Sequence, residues 1–417
     1  MNGMKTMDDF DFSGKTALVR VDINCPIDPE TNEFLDVRRM KIHSKTIKEL
    51  SQKGAKVVVM SHQGRPGSEY DFTNMEKHAG ELSKHVGVDI KYIPDVIGPT
   101  AQSAIKLMSN GEVILLDNVR FLSEELLKRP SDVQANTHFV KSLTPLADYF
   151  VSDAFATAHR SQPSLVGFCE TLPSCAGRVM QEEVEVMAKV LESNKKPAIY
   201  VAGGAKVKSS LRVIKTFLET GVMDKILTSG LVASVFLSAK GYDVPGKDYV
   251  ENYDDHIKTA KELLAEYSSQ IELPVDLALD KQGKRFEVSL SEMPLPYKVA
   301  DIGNGTIGRY KYIIENAGTI IANGPAGVFE EPQFEKGTME IVKSIAEADA
   351  FSVVGGGHIA IAITKAGLED KITHISTGGG ACITHLAGIK LWALAALEKA
   401  AEKQGAPEHR GAEGDSQ

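Results

Sequence analysis

The sequence contains few cysteines, one tryptophan and no long apolar run. The four cysteines are scattered along the chain without a C-x-x-C pair: Cys25, Cys169, Cys175 and Cys382. This spacing indicates neither a disulfide framework nor a zinc site, so we expect reduced thiols. No apolar stretch reaches the roughly 18 residues that a membrane-spanning helix needs. The composition therefore argues against a membrane protein and against a disulfide-rich secreted scaffold.

An excess of positive charge is also missing, since the formal net charge is -9. Nucleic acids and anionic bilayers attract basic surfaces, so we expect neither as a partner. The opening residues MNGMKTMDDF lack the basic and apolar regions of a secretory signal, which predicts a cytoplasmic protein. An anionic ligand would need a local basic cleft. Eight of the twelve arginines precede residue 179, which favours the first half of the chain for such a cleft.

Length and periodicity indicate two α/β domains. At roughly 150 residues a domain, a chain of 417 residues suggests two or three. Short β-branched runs alternate with stretches of helical period, as in parallel sheets built from βα units. One set of runs lies at 15–23, 54–62, 111–119 and 147–155, and a second at 197–204, 224–230, 318–324, 351–357 and 372–377. We predict two doubly wound, Rossmann-like domains.

An amphipathic helix over 181–196 separates the two sets of strands. Its apolar residues Val184, Met187, Ala188 and Leu191 follow helical spacing. We predict domains at 1–178 and 179–390, with this helix as the hinge between them. The remainder, 391–417, should be the end of a helix followed by a disordered polar tail, because it carries little apolar surface.

In the first half, polar and cationic residues follow four predicted strands. They are Asp22 and Asn24; His62, Gly64 and Arg65; Asn118 and Arg120; and His159 and Arg160. Each set alone is typical of turns and solvated surface arginines. Because the carboxyl ends of parallel strands meet at one sheet edge, the four sets together favour a site for a small polyanion.

In the second half, the corresponding strand ends are rich in glycine, at 202–206, 229–231, 323–327, 355–358 and 376–381. Consecutive glycines before a helix let backbone N–H groups approach phosphate, although tight turns also need glycine. Several such loops favour a nucleotide. Lys206 would add a charge near a phosphate, and Glu330 would accept hydrogen bonds from ribose. The alternative for both is a solvated surface side chain.

Two familiar nucleotide motifs do not account for this pattern. Gly303, Gly305 and Gly308 spell G-x-G-x-x-G, but they lack the βαβ context and the acidic residue of a dinucleotide site. The P-loop G-x-x-x-x-G-K-[ST] does not occur at 203–210. A nicotinamide dehydrogenase is therefore a minor alternative.

These motifs together resemble one family. The order RVDIN, SHQGRP, DNVRF, DAFATAHR, GGAKV, LPVD, DIG, NGPAGVFE, GGG and STGGGA, spanning about residues 15 to 390, is similar to that of the phosphoglycerate kinases. The resemblance implies reversible phosphoryl transfer between 1,3-bisphosphoglycerate and ADP, giving 3-phosphoglycerate and ATP with Mg²⁺. It implies a monomer or homodimer whose partners are these small molecules.

The resemblance also implies residue roles. It assigns the phosphoglycerate to Asp22, Asn24, Arg39, His62, Gly64, Arg65, Arg120, His159 and Arg160. Arg38, one position away, is the alternative to Arg39. It assigns the nucleotide to Gly204, Ala205, Lys206, Gly230, Asn323, Gly327, Val328, Glu330, Gly355, Gly356, Gly357 and His358, with Gly230 near the adenine. Arg39 and Lys206 are the candidate catalytic residues, and closure about the hinge is expected to bring the substrates together.

Several departures from the commoner family pattern fall near the nucleotide phosphates. Ser210 stands where many members have a second lysine, and His358 replaces the aspartate usually associated with Mg²⁺. Lys208 or Arg212 would supply the missing charge. We expect no certain protein ligand for the metal, which the nucleotide would carry. With Ala322 in place of a tryptophan, these departures resemble the archaeal branch. A non-catalytic sensor on the same fold is the remaining alternative.

Overall fold

The computed structural model describes residues 3–68, 70–193 and 195–405, and these form two compact units. The first unit contains the described residues of Met1–Glu185 and Lys390–Gln417, and the second contains those of Val186–Ile389. The division lies seven residues beyond the predicted boundary at 178, and the segment after Ile389 joins the first unit instead of following a second domain. The tail predicted to be disordered lies, from residue 406, outside the described residues.

A parallel sheet organises the first unit. Its strands are β1 (Thr16–Arg20), β2 (Lys56–Met60), β3 (Ile90–Ile93), β4 (Val113–Leu116), β5 (Tyr149–Ser152) and β6 (Ser174–Ala176). Among the described residues, the strands lie in the order β3-β4-β2-β1-β5-β6, and every adjacent pair is parallel. The four predicted runs correspond to β1, β2, β4 and β5. Strand β1 is buried along its whole length, as expected where both sheet faces are covered.

Strands β3 and β6 were not predicted. Strand β3 reads Ile-Lys-Tyr-Ile and is buried only at its two ends. Strand β6 reads Ser-Cys-Ala and has no β-branched or aromatic residue. Both strands lie at sheet edges, where a strand pairs with one neighbour and is less buried. Such a strand does not need the continuous apolar run that marks a central strand.

The helices of the first unit follow its strands along the chain. They are α1 (Arg38–Gln52), α2 (Glu76–Val86), α3 (Pro99–Lys106), α4 (Ser131–Gln134) and α5 (His138–Leu143). Helix α6 (Arg178–Glu192) is the segment by which the chain passes into the second unit. Its predicted bounds of 181–196 were three residues late and four residues too long. Pro197 follows, and the backbone before a proline disfavours the helical conformation.

A second parallel sheet organises the second unit. Its strands are β7 (Ala198–Ala202), β8 (Lys225–Thr228), β9 (Ile271–Glu272), β13 (Thr319–Asn323), β14 (Phe351–Gly355) and β15 (His374–Ser376). Among the described residues, they lie in the order β15-β14-β13-β7-β8-β9, with parallel pairing throughout. The five predicted runs correspond to these strands, with the two-residue β9 as the addition. The prediction of two parallel-sheet α/β domains is therefore confirmed.

An antiparallel sheet in the second unit was not predicted. It is formed by β10 (Asp276–Lys281), β11 (Lys284–Ser289) and β12 (Lys298–Ile302), in the order β11-β10-β12. The hairpin between β10 and β11 turns at Gln282 and Gly283, which both have positive φ, at 57° and 76°. Two such residues permit the tight turn whose twist suits a hairpin. Glutamine is an uncommon first residue for this turn, so the sequence signal for the hairpin is weak.

The helices of the second unit complete its βα units. They are α7 (Val207–Thr220), α8 (Gly230–Ala239), α9 (Tyr253–Tyr267), α10 (Asn304–Glu315), α11 (Lys336–Glu347), α12 (Gly357–Ala366) and α13 (Gly379–Leu386). No helix in the described parts of the chain combines the length and apolar character needed to cross a membrane.

Helix α14 (Trp392–Gly405) returns the chain to the first unit. The Ala393 N–H donates to the Ala158 carbonyl at 3.0 Å. The Glu170 carboxylate, whose side chain is 9% exposed, binds Lys399 at 2.6 Å and also binds Lys403. The first unit is therefore built from both ends of the chain.

Candidate functional site

One candidate site lies in the first unit, where polar residues follow the carboxyl ends of adjacent strands. Asp22 follows β1, His62 follows β2, Arg120 follows β4 and Arg160 follows β5. Because these strands are parallel neighbours, the segments that follow them lie at the same sheet edge. We call Arg20, Arg39, Arg65, Arg120 and Arg160 the arginine cluster.

Asp22 is the buried anion of this site. Its carboxylate accepts a hydrogen bond from Arg39 Nη1 at 2.6 Å, with the two side chains 2% and 33% exposed. Burial raises the pKa of Asp22, but the positive charges around it, chiefly that of Arg39 and also that of Arg20, outweigh this effect and hold the pKa well below its usual range. Asp22 is therefore ionised and orients Arg39. Arg38, the alternative to Arg39, is the first residue of the same helix, α1.

Arg20 was not predicted as a site residue. It is the last residue of β1 and is 1% exposed. Its Nη2 lies 3.1 Å from His62 Nδ1. Since a guanidinium has only donors, Nδ1 must accept, and the His62 proton is on Nε2. Burial lowers the pKa of His62 well below its usual range, with Asp22 opposing this shift and Arg20 reinforcing it. His62 is therefore a neutral N–H donor.

Glu125 and Ser164 hold the Arg20 side chain in place through hydrogen bonds, and they were also not predicted. Arg20 Nε donates to Ser164 Oγ at 2.8 Å, and Ser164 Oγ donates to Glu125 at 2.5 Å. Glu125 is 1% exposed. Burial raises its pKa, and the charge of Arg20 opposes that shift. The available sequence signal for Arg20 was an arginine at the end of a largely apolar strand, whereas Glu125 lies in a short 3-10 helix, Ser123–Leu126, that belongs to no motif.

Gly64 fixes the loop that carries Arg65. The Gly64 N–H donates to Asn24 Oδ1 at 2.9 Å, and its carbonyl accepts from Arg120 Nη1. Gly64 has a φ of +65°, and a Cβ atom there would lie 2.3 Å from the Asp71 carbonyl oxygen. Only glycine fits this conformation and this space. The residues at positions 24, 64 and 120 thus form one hydrogen-bonded group.

The arginine cluster carries more positive charge than its own carboxylates neutralise. Burial and the neighbouring charges of Arg160 and Arg20 together lower the pKa of Arg120 to about 10. Burial also lowers the pKa of Arg160, while Asp22 raises it and Arg65 lowers it. Like charges held this close disfavour their own ionisation, and a bound anion would relieve that repulsion. His159 is exposed immediately before Arg160.

A second candidate site is a cavity of about 280 Å³ within the second unit. Seven of the predicted nucleotide residues line it: Gly204, Ala205, Gly230, Gly327, Val328, Glu330 and His358. The other five lie at element ends instead of in the lining. Lys206 is exposed just before α7, Asn323 ends β13, Gly355 ends β14, Gly356 precedes α12 and Gly357 begins it.

Backbone contacts hold the glycine loops of this cavity together. The Gly204 N–H donates to the Pro325 carbonyl, and the Gly230 N–H donates to the Ala326 carbonyl, each at 2.8 Å. A Cβ atom at Gly327 would lie 2.0 Å from the Ala300 carbonyl oxygen. The loops after β7, β8 and β13 therefore approach each other more closely than side chains would permit.

The unpredicted part of the cavity comes from the antiparallel sheet and the loop before α9. The lining there includes Pro245, Tyr249, Leu277, Lys298 and Asp301. Lys298 Nζ lies 5.7 Å from the centre of the Tyr249 ring. A slot with an aromatic ring and aliphatic walls suits a flat base. These residues were not predicted, because the antiparallel sheet that carries Leu277, Lys298 and Asp301 has no clear strand pattern in the sequence.

The cavity contains one exposed carboxylate beside His358. His358 Nε2 lies 3.5 Å from Glu330 Oε1, with side chains 61% and 52% exposed. The other lining carboxylate, Asp301, is buried and accepts hydrogen bonds from Arg285 Nη1 and the Gly337 N–H at 2.7 Å. Within the described residues, no cluster of three or more His, Cys, Asp or Glu side chains could hold a metal ion.

The G-x-G-x-x-G sequence at Gly303 does not form a phosphate site. It begins α10, but the Asp276 carboxylate accepts hydrogen bonds from the Gly305 and Thr306 N–H groups, each at 2.7 Å. An internal anion thus satisfies the helix N-terminus that a dinucleotide would use.

Comparisons with known proteins identify the family. A family model described as phosphoglycerate kinase matches residues 7–389. A phosphoglycerate kinase of Methanothermus fervidus is 50% identical over 402 residues, covering 95% of this chain and 98% of the relative. One of Methanothermobacter thermautotrophicus is 50% identical over 400 residues, with 95% and 97% covered. Both relatives are archaeal, as the sequence departures predicted.

Solved structures indicate the same family. The crystal structure of phosphoglycerate kinase from Pyrococcus horikoshii has a TM-score of 0.90 and 43% identity, covering 96% of this chain and all of that one. The structure of the Coxiella burnetii phosphoglycerate kinase has a TM-score of 0.77 and 31% identity, covering 95% and 100%. The chain therefore belongs to the phosphoglycerate kinase family and is a phosphotransferase that interconverts 1,3-bisphosphoglycerate and ADP with 3-phosphoglycerate and ATP in glycolysis and gluconeogenesis.

Proposed function

We propose that the arginine cluster of the first unit binds 3-phosphoglycerate or its acyl phosphate, and that the cavity of the second unit binds the nucleotide. The observation that carries the proposal is the gathering of five arginines at one sheet edge, where Arg39 binds the Asp22 carboxylate and Arg120 donates to the Gly64 carbonyl. The charges of Arg20, Arg65 and Arg160 all lower the pKa of Arg120, in addition to the larger effect of burial, as expected for like charges in mutual repulsion. A small polyanion is the ligand that removes this repulsion.

In the first unit, Arg65, Arg120 and Arg160 hold the charged oxygens of the phosphoglycerate, with His159 beside them. Neutral His62 donates from Nε2, since Arg20 occupies Nδ1. Asp22 and Asn24 orient these groups and accept from the substrate hydroxyl. Arg39 is placed by Asp22 and stabilises charge on the transferred phosphoryl group.

In the second unit, the base lies in the slot between Gly230 and Tyr249, and Glu330 accepts from the ribose. The phosphates lie against the backbone N–H groups at the starts of α7 and α12, where helix dipoles favour anions. Lys206 adds a positive charge at the first of these starts. Asn323 and the 355–357 turn complete the phosphate end.

The chemistry requires positioning more than proton transfer. Because the acceptor carboxylate is already ionised, its oxygen attacks the γ-phosphorus without a general base. His62 is neutral and acts as a donor. Arg39, Lys206 and the backbone N–H groups stabilise the charge that develops on the transferred oxygens in an in-line displacement.

Magnesium fits this site only as an ion brought by the nucleotide. Mg²⁺ prefers oxygen ligands, keeps several waters and usually takes one or two carboxylates together with substrate phosphates. Glu330 is the exposed carboxylate in the cavity lining, whereas His358 offers a nitrogen and Asp301 is buried against Arg285. When bound, the ion neutralises charge on the β- and γ-phosphate oxygens.

We also propose that α6 is a hinge about which the units close when both substrates are bound. Small-angle scattering should show a smaller radius of gyration with both substrates than with either alone. The enzyme is proposed to be cytoplasmic, to act as a monomer or homodimer and to bind neither nucleic acid nor membranes, in keeping with its charge of -9.

A coupled assay for ADP formation from ATP and 3-phosphoglycerate tests the reaction, and titration calorimetry with 3-phosphoglycerate tests the site. Arg65→Ala and Arg160→Ala should abolish phosphoglycerate binding with little change in the melting temperature, while ADP still binds. Unchanged phosphoglycerate affinity in both variants would reject the assignment of the arginine cluster. Nucleotide binding without turnover in the wild type would instead indicate a non-catalytic sensor.

A further inference from the structure

Asp153 is a buried carboxylate that the proposed chemistry does not use. It follows β5 and has no exposed surface. One of its oxygens, Oδ1, accepts hydrogen bonds from the Val179 and Met180 N–H groups at 2.9 and 3.2 Å. These N–H groups belong to the first turn of α6. Asp153 therefore anchors the start of the helix by which the chain leaves the first unit.

The other oxygen of Asp153 meets a buried histidine. Asp153 Oδ2 lies 2.9 Å from Nδ1 of His43, whose side chain is 1% exposed. His43 Nε2 lies 3.4 Å from the backbone nitrogen of Asp22. Because the Asp22 N–H is a donor, Nε2 accepts and the proton is on Nδ1, from which it is donated to Asp153. Both neighbours require the same tautomer.

Helix α1 presents two residues to Asp22 from successive turns. Arg39 and His43 are four positions apart and so share one helix face. Arg39 binds the Asp22 carboxylate, and His43 contacts its backbone N–H. The contacts thus run without interruption from a proposed substrate ligand, through His43 and Asp153, to the N-terminus of α6. Helix α6 continues past Glu185 into the second unit.

We propose that His43 and Asp153 are positioning residues that couple phosphoglycerate binding at Asp22 to the conformation of the α6 start. Movement of Asp22 toward its ligand shifts His43, and the shared carboxylate transmits that shift to the Val179 and Met180 N–H groups. The inference rests on the proposed function, because it takes the ligand at Asp22 to be phosphoglycerate. A purely structural role would stabilise the first unit without responding to the ligand.

Asp153→Asn is the informative variant. Its Oδ1 still accepts from Val179 and Met180, but the amide nitrogen in place of Oδ2 would face the donor Nδ1–H of His43. If His43 changes tautomer to accept, its Nε2–H then faces the donor N–H of Asp22. One of the two contacts must therefore fail. Thr46→Val is the matched control, since Thr46 Oγ1 accepts from the Arg178 N–H at 3.1 Å and anchors the same turn independently.

The measurement is hydrogen exchange over residues 178–185 of the full chain, with and without 3-phosphoglycerate, alongside calorimetry and turnover. Wild type and Thr46→Val should gain protection on binding. Asp153→Asn should bind with a dissociation constant within about threefold of wild type, gain no protection, and lose at least about tenfold in kcat with little change in KM. Ligand-induced protection retained in Asp153→Asn, or lost equally in Thr46→Val, would overturn the proposal.

Two further variants serve if Asp153→Asn does not fold. His43→Gln keeps one acceptor and one donor and should retain part of the ligand-induced protection, whereas His43→Leu should lose it. Full protection in His43→Leu also refutes the coupling. Absence of calorimetric binding in the wild type would reject the proposed phosphoglycerate site itself, which is a different failure from binding without protection.

Discussion

Each candidate site lies at the carboxyl-terminal edge of its own parallel sheet, but the two sites are formed by different kinds of groups. In the first unit the site consists of charged side chains, several of them buried, such as Arg20, Asp22 and Arg120. In the second unit it consists of backbone, glycine and aliphatic walls, with the polar side chains of Glu330 and His358 exposed. A side-chain site is damaged by removing atoms, whereas a backbone site is damaged by adding them. We therefore expect the first site to be impaired when alanine removes a side chain, and the second when alanine replaces a glycine and adds one.

The largest expected effect is at the side-chain site. Arg39→Ala should lower kcat by about 10³-fold, because it removes a preorganised charge aimed at the transferred group. The melting temperature should fall as well, because the buried Asp22 carboxylate loses its ion-pair partner. Steady-state kinetics measures the effect, and Arg38→Ala on the same helix is the control. If Arg38→Ala were the more damaging change, the role would move to Arg38.

The next effect tests the backbone site by adding one methyl group. Gly327→Ala should weaken ADP binding at least about tenfold, because its Cβ would lie 2.0 Å from the Ala300 carbonyl oxygen. Phosphoglycerate affinity should be unchanged. Gly308→Ala is the matched control: a Cβ there meets nothing within 4 Å, and alanine in a helix should stabilise it by roughly 0.5–1 kcal/mol. Calorimetry with ADP and with 3-phosphoglycerate measures both affinities. An unchanged ADP affinity in Gly327→Ala would contradict the view that the second site is built from closely packed backbone.

A smaller effect should come from restoring a carboxylate beside Glu330. His358→Asp provides an oxygen ligand in place of nitrogen, so the Mg²⁺ concentration for half-maximal activity should fall roughly three- to tenfold. Titration of turnover with Mg²⁺ at fixed ATP measures it. His358→Asn, which adds a neutral oxygen, is the control and should shift the midpoint less. An unchanged midpoint in His358→Asp would mean that position 358 lies away from the metal.

The smallest effect lies outside both sites and should leave their ligand affinities unchanged. Burial raises the pKa of Glu170, but hydrogen bonds from Lys399, Lys403 and Ser131 outweigh it and bring the pKa to about 2. This is below the unfolded value of about 4.3, so the stabilisation is present above that pH and is lost as the pH falls toward 2.

Glu170→Gln should therefore lower the free energy of unfolding by about 1 kcal/mol at pH 7, discounted because the lysines are half exposed. Its difference from wild type should shrink between about pH 4.5 and pH 2. Urea unfolding at several pH values measures this. A difference that does not depend on pH would contradict an ionic origin.

The sequence was informative where strands are buried and where several motifs share one sheet edge. β1 and β7 are buried throughout, and such strands give continuous apolar runs. Edge strand β6 and the β10–β12 sheet gave no such run, so Tyr249 and Lys298 were missed with them. Residues that hold a proposed site residue in place without contacting the ligand, such as Glu125 and His43, belong to no motif. Only the fold brings them to Arg20 and Asp22.

The return of α14 to the first unit has a consequence for synthesis. The ribosome completes residues 1–185 long before it reaches Trp392, and at about 5–20 residues per second the delay is on the order of ten seconds or more. During that interval Ala158 and Glu170 lack the helix that packs on them. The second unit, which is continuous in sequence, has all its residues before the first. We therefore expect the nascent chain to acquire protease resistance in its middle before its amino-terminal part.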